Sequence, residues 1–379
     1  MKAVALTAAL LATATTQSFA QTAQTYPDLP IGIKNGVGVM IGNTIYAGLG
    51  TAGQKFYALD LSKTERAWVE IAAFPDPARD QAAAAAVNGK LYVFGGNGKS
   101  APDATTAVFN QVHAYDPATN TWSLLPTRAP REIAGGTAVA QGDRILLFGG
   151  VNRNIFDGYF KDIAAAGTDK AKSDAVAHAY FTQRPQDYFF GRDVQAYTPA
   201  TNTWQSLGVV PFTGRAGAAV SLQGNALAIV NGEMKPGLRT AAAHRGTITE
   251  SGITWRNLPD LISPASGGVQ EGVAGAFTGY SGGALLVAGG ANFPGSTAKY
   301  GAGTLYAHEG LTKTWHSDVY ALRGNRWSIV GQLPQVQGYG MSIQNGNEVI
   351  LVGGELQGGT SSTKVFSLEL NGNELKIKD

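Results

Sequence analysis

Leu91-Tyr92-Val93-Phe94-Gly95-Gly96 is the stretch on which the fold turns, because it comes back. It returns as Ile145-Leu146-Leu147-Phe148-Gly149-Gly150, as Leu285-Leu286-Val287-Ala288-Gly289-Gly290 and as Val349-Ile350-Leu351-Val352-Gly353-Gly354. Two degenerate copies read Ile45-Tyr46-Ala47-Gly48-Leu49-Gly50 and Leu227-Ala228-Ile229-Val230-Asn231-Gly232. Each is a short apolar run closed by turn residues, the pattern of a buried strand. Six copies in one chain point to a repeat architecture.

Outward from the doublets the repeat has a second half. Tyr115-Asp116-Pro117-Ala118-Thr119-Asn120-Thr121-Trp122 nearly recurs as Tyr197-Thr198-Pro199-Ala200-Thr201-Asn202-Thr203-Trp204, and Trp68, Trp255 and Trp327 occupy the same slot. Five of the six tryptophans are thereby read as packing residues between neighbouring sheets. The glycine doublet, Tyr and spaced Trp resemble kelch repeats, which run to about 50 residues. That resemblance implies an all-β fold, a six-bladed kelch-type β-propeller with four-stranded blades, spanning residues 21–379 as one domain. Fifty glycines and 16 prolines agree with many tight turns. Trp68 and Trp122 lie 54 residues apart but Trp122 and Trp204 lie 82 apart. The extra length is an insertion at about 151–192 in the third blade. Its Ala-rich part, Lys161 to Phe181, is expected to be helical, although the conformation of 161–184 is not fixed by sequence.

The sixth repeat lacks its tryptophan. Tyr26-Pro27-Asp28-Leu29-Pro30 has the Trp-x-x-Leu-Pro form with Tyr substituted, which predicts that this segment supplies the outer strand of the last blade and closes the ring. The rival is Glu374 to Lys378, which follows the hairpin signal Asn371-Gly372.

At the N-terminus, Met1-Lys2, the small and apolar run Ala3 to Ala14, and Ser18-Phe19-Ala20 form an export signal with cleavage before Gln21. No second run of spanning length follows, so membrane insertion is not expected. The reading is an exported, periplasmic product. A formal charge of +2 gives no basic field for nucleic acid. The absence of cysteine excludes disulfides, zinc-thiolate sites and a cysteine nucleophile. Nothing in the sequence sets the oligomeric state, and a homodimer is compatible with it.

In a propeller of this kind the loops after the Gly-Gly strands and before the inner strands crowd one face at the channel mouth, where ligands bind. Asn97, Asn152, Glu233, Asn292 and Glu355 follow doublets; Arg79, Asp80, Arg131 and Arg215 precede inner strands. A polar residue in such a place also serves as a turn cap, and an arginine as a tie between blades. Glu271 is a further candidate for the mouth. Asn231-Gly232-Glu233-Met234-Lys235-Pro236-Gly237-Leu238-Arg239-Thr240 stands apart, with an acid, a lysine and an arginine among turn formers. It reads either as an exposed charged loop or as a carboxylate base beside a guanidinium clamp.

Longer motifs narrow the resemblance. Arg79-Asp80-Gln81, Val108-Phe109-Asn110, Gly149-Gly150-Val151-Asn152, Asn154-Ile155-Phe156, Gly158-Tyr159-Phe160, Asp187-Tyr188-Phe189-Phe190, the Asn231–Thr240 segment and Tyr306-Ala307-His308-Glu309-Gly310-Leu311 together resemble the bacterial N-acetylneuraminate epimerase (sialic acid mutarotase) family over essentially the whole mature chain. The resemblance implies Glu233 as acid–base catalyst, Arg239 as substrate-binding arginine, N-acetylneuraminate as substrate, and no cofactor or metal. Arg79, Asn97, Asn152 and Asn292 are the further substrate-binding candidates. Met234 and Arg215 depart from the residues expected there. Two other readings stay open at this stage: a non-catalytic carbohydrate-binding propeller, and a sialidase-like glycosidase, for which Ile248 to Trp255 offers one degenerate box. A galactose-oxidase-like copper site is excluded by the missing cysteine.

Overall fold

The six Gly-Gly strands are the second strands of six four-stranded antiparallel sheets. A computed structural model describes residues 26–131 and 133–379; the export signal read at residues 1–20 lies outside the described residues. Blade 1 runs Val37–Ile41, Thr44–Gly48, Phe56–Asp60 and Trp68–Glu70; blade 2 runs Ala83–Val87, Lys90–Phe94, Gln111–Asp116 and Thr121–Arg128. Blade 3 runs Gly136–Gln141, Arg144–Gly149, Asp193–Thr198 and Thr203–Val209; blade 4 runs Ala219–Gln223, Ala226–Val230, Ala243–Ile248 and Ile253–Leu258. Blade 5 runs Phe277–Ser281, Ala284–Ala288, Asp318–Arg323 and Arg326–Gln332; blade 6 runs Met341–Asn345, Glu348–Val352, Val365–Asn371 and Glu374–Lys378. The first strand of each blade packs beside the first strands of its neighbours, so six inner strands surround an axial channel. Small residues such as Gly38, Ala84, Ala138 and Ser221 line that channel, where converging strands leave little room.

The blades are joined by two closed circles of backbone hydrogen bonds. In the first, a residue one or two before each inner strand donates to its counterpart in the preceding blade: Gln81 to Asn35, Gly135 to Gln81, Gly217 to Gly135, Gly275 to Gly217, Tyr339 to Gly275 and Asn35 to Tyr339, at 2.7–3.0 Å. In the second, each doublet donates forward to the next blade: Gly50 to Arg79, Gly96 to Ile133, Gly150 to Arg215, Gly232 to Val273, Gly290 to Gln337 and Gly354 to Ile33. This explains the doublets. Both residues of every doublet have positive φ, including Leu49 and Asn231 where the first glycine is lost. A Cβ on Gly95 would stand 2.3 Å from the carbonyl of Ile133, so glycine is needed to bring the blades this close.

The repeated tryptophans tie the outer rim. Trp68, Trp122 and Trp327 donate their indole N–H to Pro27 O, Ala72 O and Pro259 O, each in the segment that precedes its own blade, and Trp204 donates to Thr127 Oγ1 in the outer strand of blade 2. They also pack in the inter-blade cores, as Trp122 does against Phe56 and Phe74 at ring separations of 4.9 and 5.2 Å.

Ring closure differs from the expectation drawn from Tyr26–Pro30. The outer strand of blade 6 is Glu374–Lys378, paired with Val365–Asn371 through the Gly372-Asn373 turn. A local two-residue hairpin costs little chain entropy. A strand at 26–30 carries two prolines, each lacking the N–H a ladder needs. The N-terminal segment instead straps blade 6 from outside the sheet: Leu29 N donates to Thr363 O, Ile33 N to Ser362 O, and Tyr26 Oη to Glu348 at 2.7 Å.

The insertion in blade 3 is helical over two stretches, α1 (Arg153–Ala166) and α2 (Lys170–Phe181), followed by a 3-10 turn at Pro185–Tyr188. Helix therefore starts eight residues before the Ala-rich segment, because Asn152 caps α1 by accepting from Ile155 N. Among the described residues no helix is long and apolar enough to cross a membrane.

The axial circle makes one position sensitive. Gly275 has φ +69, and a Cβ there would stand 2.5 Å from the Tyr339 ring. We expect Gly275→Ala to lower stability by roughly 1–3 kcal/mol through overpacking and backbone strain. A thermal melt checks this; an unchanged midpoint would show that the circle tolerates a side chain there.

Candidate active site

Four blades extend past the doublet into short two-stranded ribbons on one face: Asn97–Gly98 with Ala107–Val108, Glu233–Lys235 with Leu238–Arg239, Ala291–Asn292 with Thr314–Trp315, and Glu355–Leu356 with Gln337–Gly338. The charged segment of blade 4 is thus a hairpin, not a free loop. Its register sets Glu233 opposite Arg239. Glu233 N and O are both bonded to Ala216, which places its backbone beside the axial circle.

Arg239 Nη1 lies 3.1 Å from Glu233 Oε1, which also accepts from Gly237 N at 2.8 Å. Among the described residues both contacts of this carboxylate are to Oε1. The Arg239 guanidinium sits 4.9 Å from the Phe293 ring and donates through Nη2 to Tyr339 Oη at a long 3.5 Å. It is 5 % exposed, yet among the described residues Nε has no acceptor and Nη1 has the Glu233 ion pair without an aligned hydrogen bond. A buried guanidinium short of acceptors is costly unless an anion completes it. Burial works against the Arg239 charge, but Glu233 and Tyr339 outweigh it and hold its pKa above the ordinary value.

The insertion holds this hairpin in place. Lys235 is fully buried, and its ammonium donates to the carbonyls of Phe181 at 2.8 Å, Leu305 at 2.7 Å and Gln183. Phe181 is the last residue of α2, where orphan carbonyls favour a cation. Burial lowers the Lys235 pKa to about 8. An aromatic wall surrounds the hairpin: Tyr159 stacks on Tyr180 at 4.2 Å, Phe181 on Tyr306 at 4.9 Å, and His308 meets Phe181 and Phe293 at 5.0 and 5.1 Å. Burial, then the neighbouring Glu233 charge, raises the Tyr180 pKa.

The other candidates lie elsewhere or are engaged. Arg79 is 2 % exposed, with its guanidinium between the Phe74 and Phe109 rings, paired to Asp76 and donating to Gly95 O. Asn97 donates to Asp80 O at 3.3 Å. Asn152 caps α1 and lines a separate recess of about 680 Å³ between the insertion, blade 3 and the segment leading to blade 4, with Arg131, which pairs with Asp193 at 3.0 Å. Asn292 bridges Gly272 O and His316 Nε2. Arg215 donates to Asn231 O, Ala242 O and His244, buttressing the doublet that leads into Glu233. Glu271 accepts from Gly295 N, Ser296 Oγ and Thr297 N at the start of α3 (Ser296–Gly301). Glu355 is paired with Lys34 at 2.8 Å and with Lys313. Phe293 and Tyr339, which touch Arg239, were not singled out from sequence. For Tyr339 a signal existed, its place just before an inner strand.

Sequence comparison places the chain as a whole. The N-acetylneuraminate epimerase family model matches residues 26–377. The chain belongs to the N-acetylneuraminate epimerase family. It is 52 % identical over 374 residues to the N-acetylneuraminate epimerase of Haemophilus influenzae (strain PittEE), covering 99 % of this chain and 98 % of that one. It is 49 % identical over 358 residues to the N-acetylneuraminate epimerase of Yersinia pestis (strain Pestoides F), covering 94 % and 91 %. The solved structure of YjhT superposes with a TM-score of 0.89 at 39 % identity, covering 94 % of this chain and all of that one. The fold is therefore shared with a solved structure of similar sequence.

In this epimerase-family chain three imidazoles are held neutral. His113, His244 and His308 have pKa values lowered to about 4 by burial first, and then by Arg79, Arg215 and Arg239 respectively. His244 Nε2 faces Arg215 Nη2 at 2.8 Å and so acts as acceptor, which a proton would abolish. Because these pKa values lie below the ordinary 6.5, the unfolded chain takes up protons first as pH falls. Their contribution to stability is complete above pH 6.5 and is lost as pH falls through 4. NMR titration should place all three imidazoles below pH 5, with thermal stability declining across the same window. Midpoints near 6.5 would contradict the burial argument.

Proposed function

We propose that this chain is an isomerase that interconverts the α- and β-anomers of N-acetylneuraminate by opening and reclosing the sugar ring. The single observation that carries the reading is the Glu233–Arg239 ion pair, in which the buried arginine leaves Nε without an acceptor among the described residues. Full-length similarity to proteins named for this activity supports the same substrate.

The chemistry follows from the substrate. Its C2 carries a carboxylate, the anomeric hydroxyl and the ring oxygen. Arg239 binds the carboxylate through the parallel N–H groups of its fork and so sets C2 beside Glu233. Glu233 takes the proton of the anomeric hydroxyl, the C2 carbonyl forms, and the bond to the ring oxygen breaks as an acid delivers a proton to that oxygen. Rotation about C2–C3 presents the other carbonyl face, and closure reverses both proton transfers. The ring has then inverted at C2 with no net transfer of atoms. Read as an exported protein, this enzyme would meet the sugar outside the cytoplasm, where configuration-retaining sialidases release the α-anomer.

The test follows anomers by proton NMR after freshly released α-N-acetylneuraminate is mixed with residues 21–379. Wild type is expected to speed the approach to an unchanged equilibrium. Glu233→Gln should lose roughly 100-fold or more in rate while still binding sugar, as expected for removal of a general acid–base group. Arg239→Met should weaken binding. Saturable binding without acceleration by the wild type would make this a sialic-acid-binding propeller instead.

A further inference from the structure

Tyr339 is the one bulky side chain in the axial circle. Its five counterparts are Asn35, Gln81, Gly135, Gly217 and Gly275. It holds φ +55, the left-handed backbone that all six members of the circle share, and it alone carries an aromatic ring there. The constraint is visible: Tyr339 N donates to Gly275 O at 2.7 Å, Asn35 N donates to Tyr339 O at 2.9 Å, and the Tyr339 ring occupies the space where a Cβ on Gly275 would sit. Backbone strain of this kind concentrates where a side chain must be aimed.

Its aim is the Glu233–Arg239 pair. Tyr339 Oη is 3.5 Å from Arg239 Nη2, while Nη1 of the same guanidinium is 3.1 Å from Glu233 Oε1. The Lys313 ammonium stands 4.4 Å from the centre of the Tyr339 ring and is itself held by Glu355, which also holds Lys34. One guanidinium therefore gathers a carboxylate and a phenol, and a second cation lies over the phenol ring.

We propose that Tyr339 is the second catalytic group of this site, the acid that protonates the ring oxygen. This rests on the anomer-exchange reading above. The match is three to three: the substrate carries three oxygen functions on C2, and the site joins three groups through Arg239. The carboxylate goes to Arg239, the anomeric hydroxyl to Glu233 and the ring oxygen to Tyr339. In opening, Glu233 removes the anomeric proton and the O–H electron pair becomes the second bond of the C2 carbonyl. The C2–ring-oxygen bond breaks, and its electron pair takes the Tyr339 proton. The phenolate so formed faces Arg239 and Lys313, two positive charges already in place. In closing, the sugar hydroxyl attacks the other face of C2 and returns its proton to Tyr339, while Glu233 returns its proton to the carbonyl oxygen. Each group ends as it began, and no outside reactant enters.

The experiment measures kcat and KM for anomer exchange across pH by exchange NMR, on wild type, Tyr339→Phe and protein carrying 3-fluorotyrosine at 339. Phenylalanine keeps the ring over Gly275, and a thermal melt verifies folding. Tyr339→Phe is expected to lower kcat about 100-fold or more, with KM within a few-fold. The more acidic fluorotyrosine is expected to move the alkaline limb of kcat to lower pH. A retained kcat, or a raised KM with unchanged kcat, would overturn the proposal and leave Tyr339 as a positioning residue for Arg239. An unmoved alkaline limb would overturn it too. Wild type that fails to accelerate exchange would overturn the anomer-exchange reading itself, which the variant results alone would not.

Discussion

Twelve backbone hydrogen bonds around one axis hold this molecule to its geometry. Six run between residues just inside the inner strands, and six run from the doublets to the next blade. Each demands a close approach of main chain to main chain, and each doublet reaches it with two consecutive left-handed residues. Because the circles close, every blade has two neighbours and no inner strand is left without one. The N-terminal strap belongs to the same constraint, since Ile33 and Asn35 complete both circles between blades 6 and 1.

The site is a by-product of that closure put to use. Glu233 follows directly on the blade 4 doublet and is bonded at N and O to Ala216, two links from the axis. Tyr339 is a member of the inner circle. Two groups of the site are therefore fixed by the most rigid part of the fold. The third, Arg239, is fixed by the hairpin register and by an aromatic wall contributed partly by the insertion. Lys235 fastens these layers, drawing the end of α2 and the loop at Leu305 onto the hairpin with one buried ammonium. Preorganisation of this sort suits ring opening, where charge develops on oxygens of a single carbon and solvent reorganisation would be the main cost.

Much of this is legible in the sequence, for identifiable reasons. The doublets and tryptophans repeat, so their spacing declares six blades, and the 82-residue gap declares the insertion. Glu233 and Arg239 stand out because charge is concentrated between turn residues, and family motifs add the rest. Closure was misread because Tyr26–Pro30 copies the repeat in side chains while its prolines deny it a strand's hydrogen bonds. Asn152 and Asn292 share the doublet neighbourhood with Glu233 but lie one residue further on, where a helix cap and a histidine engage them. Tyr339 stands just before an inner strand, which is the signal the sequence offers; its contact with Arg239 and the room left by Gly275 come from other blades and so are not legible locally.

The central claim is that one buried guanidinium organises the sugar's C2 for proton transfer at Glu233. A crystal structure of Glu233→Gln with N-acetylneuraminate tests it most directly. The account predicts the sugar carboxylate on the Arg239 guanidinium, the anomeric hydroxyl against residue 233, and the ring oxygen toward Tyr339. A sugar seated instead in the recess beside Arg131 and Asn152, with Arg239 untouched, would contradict it.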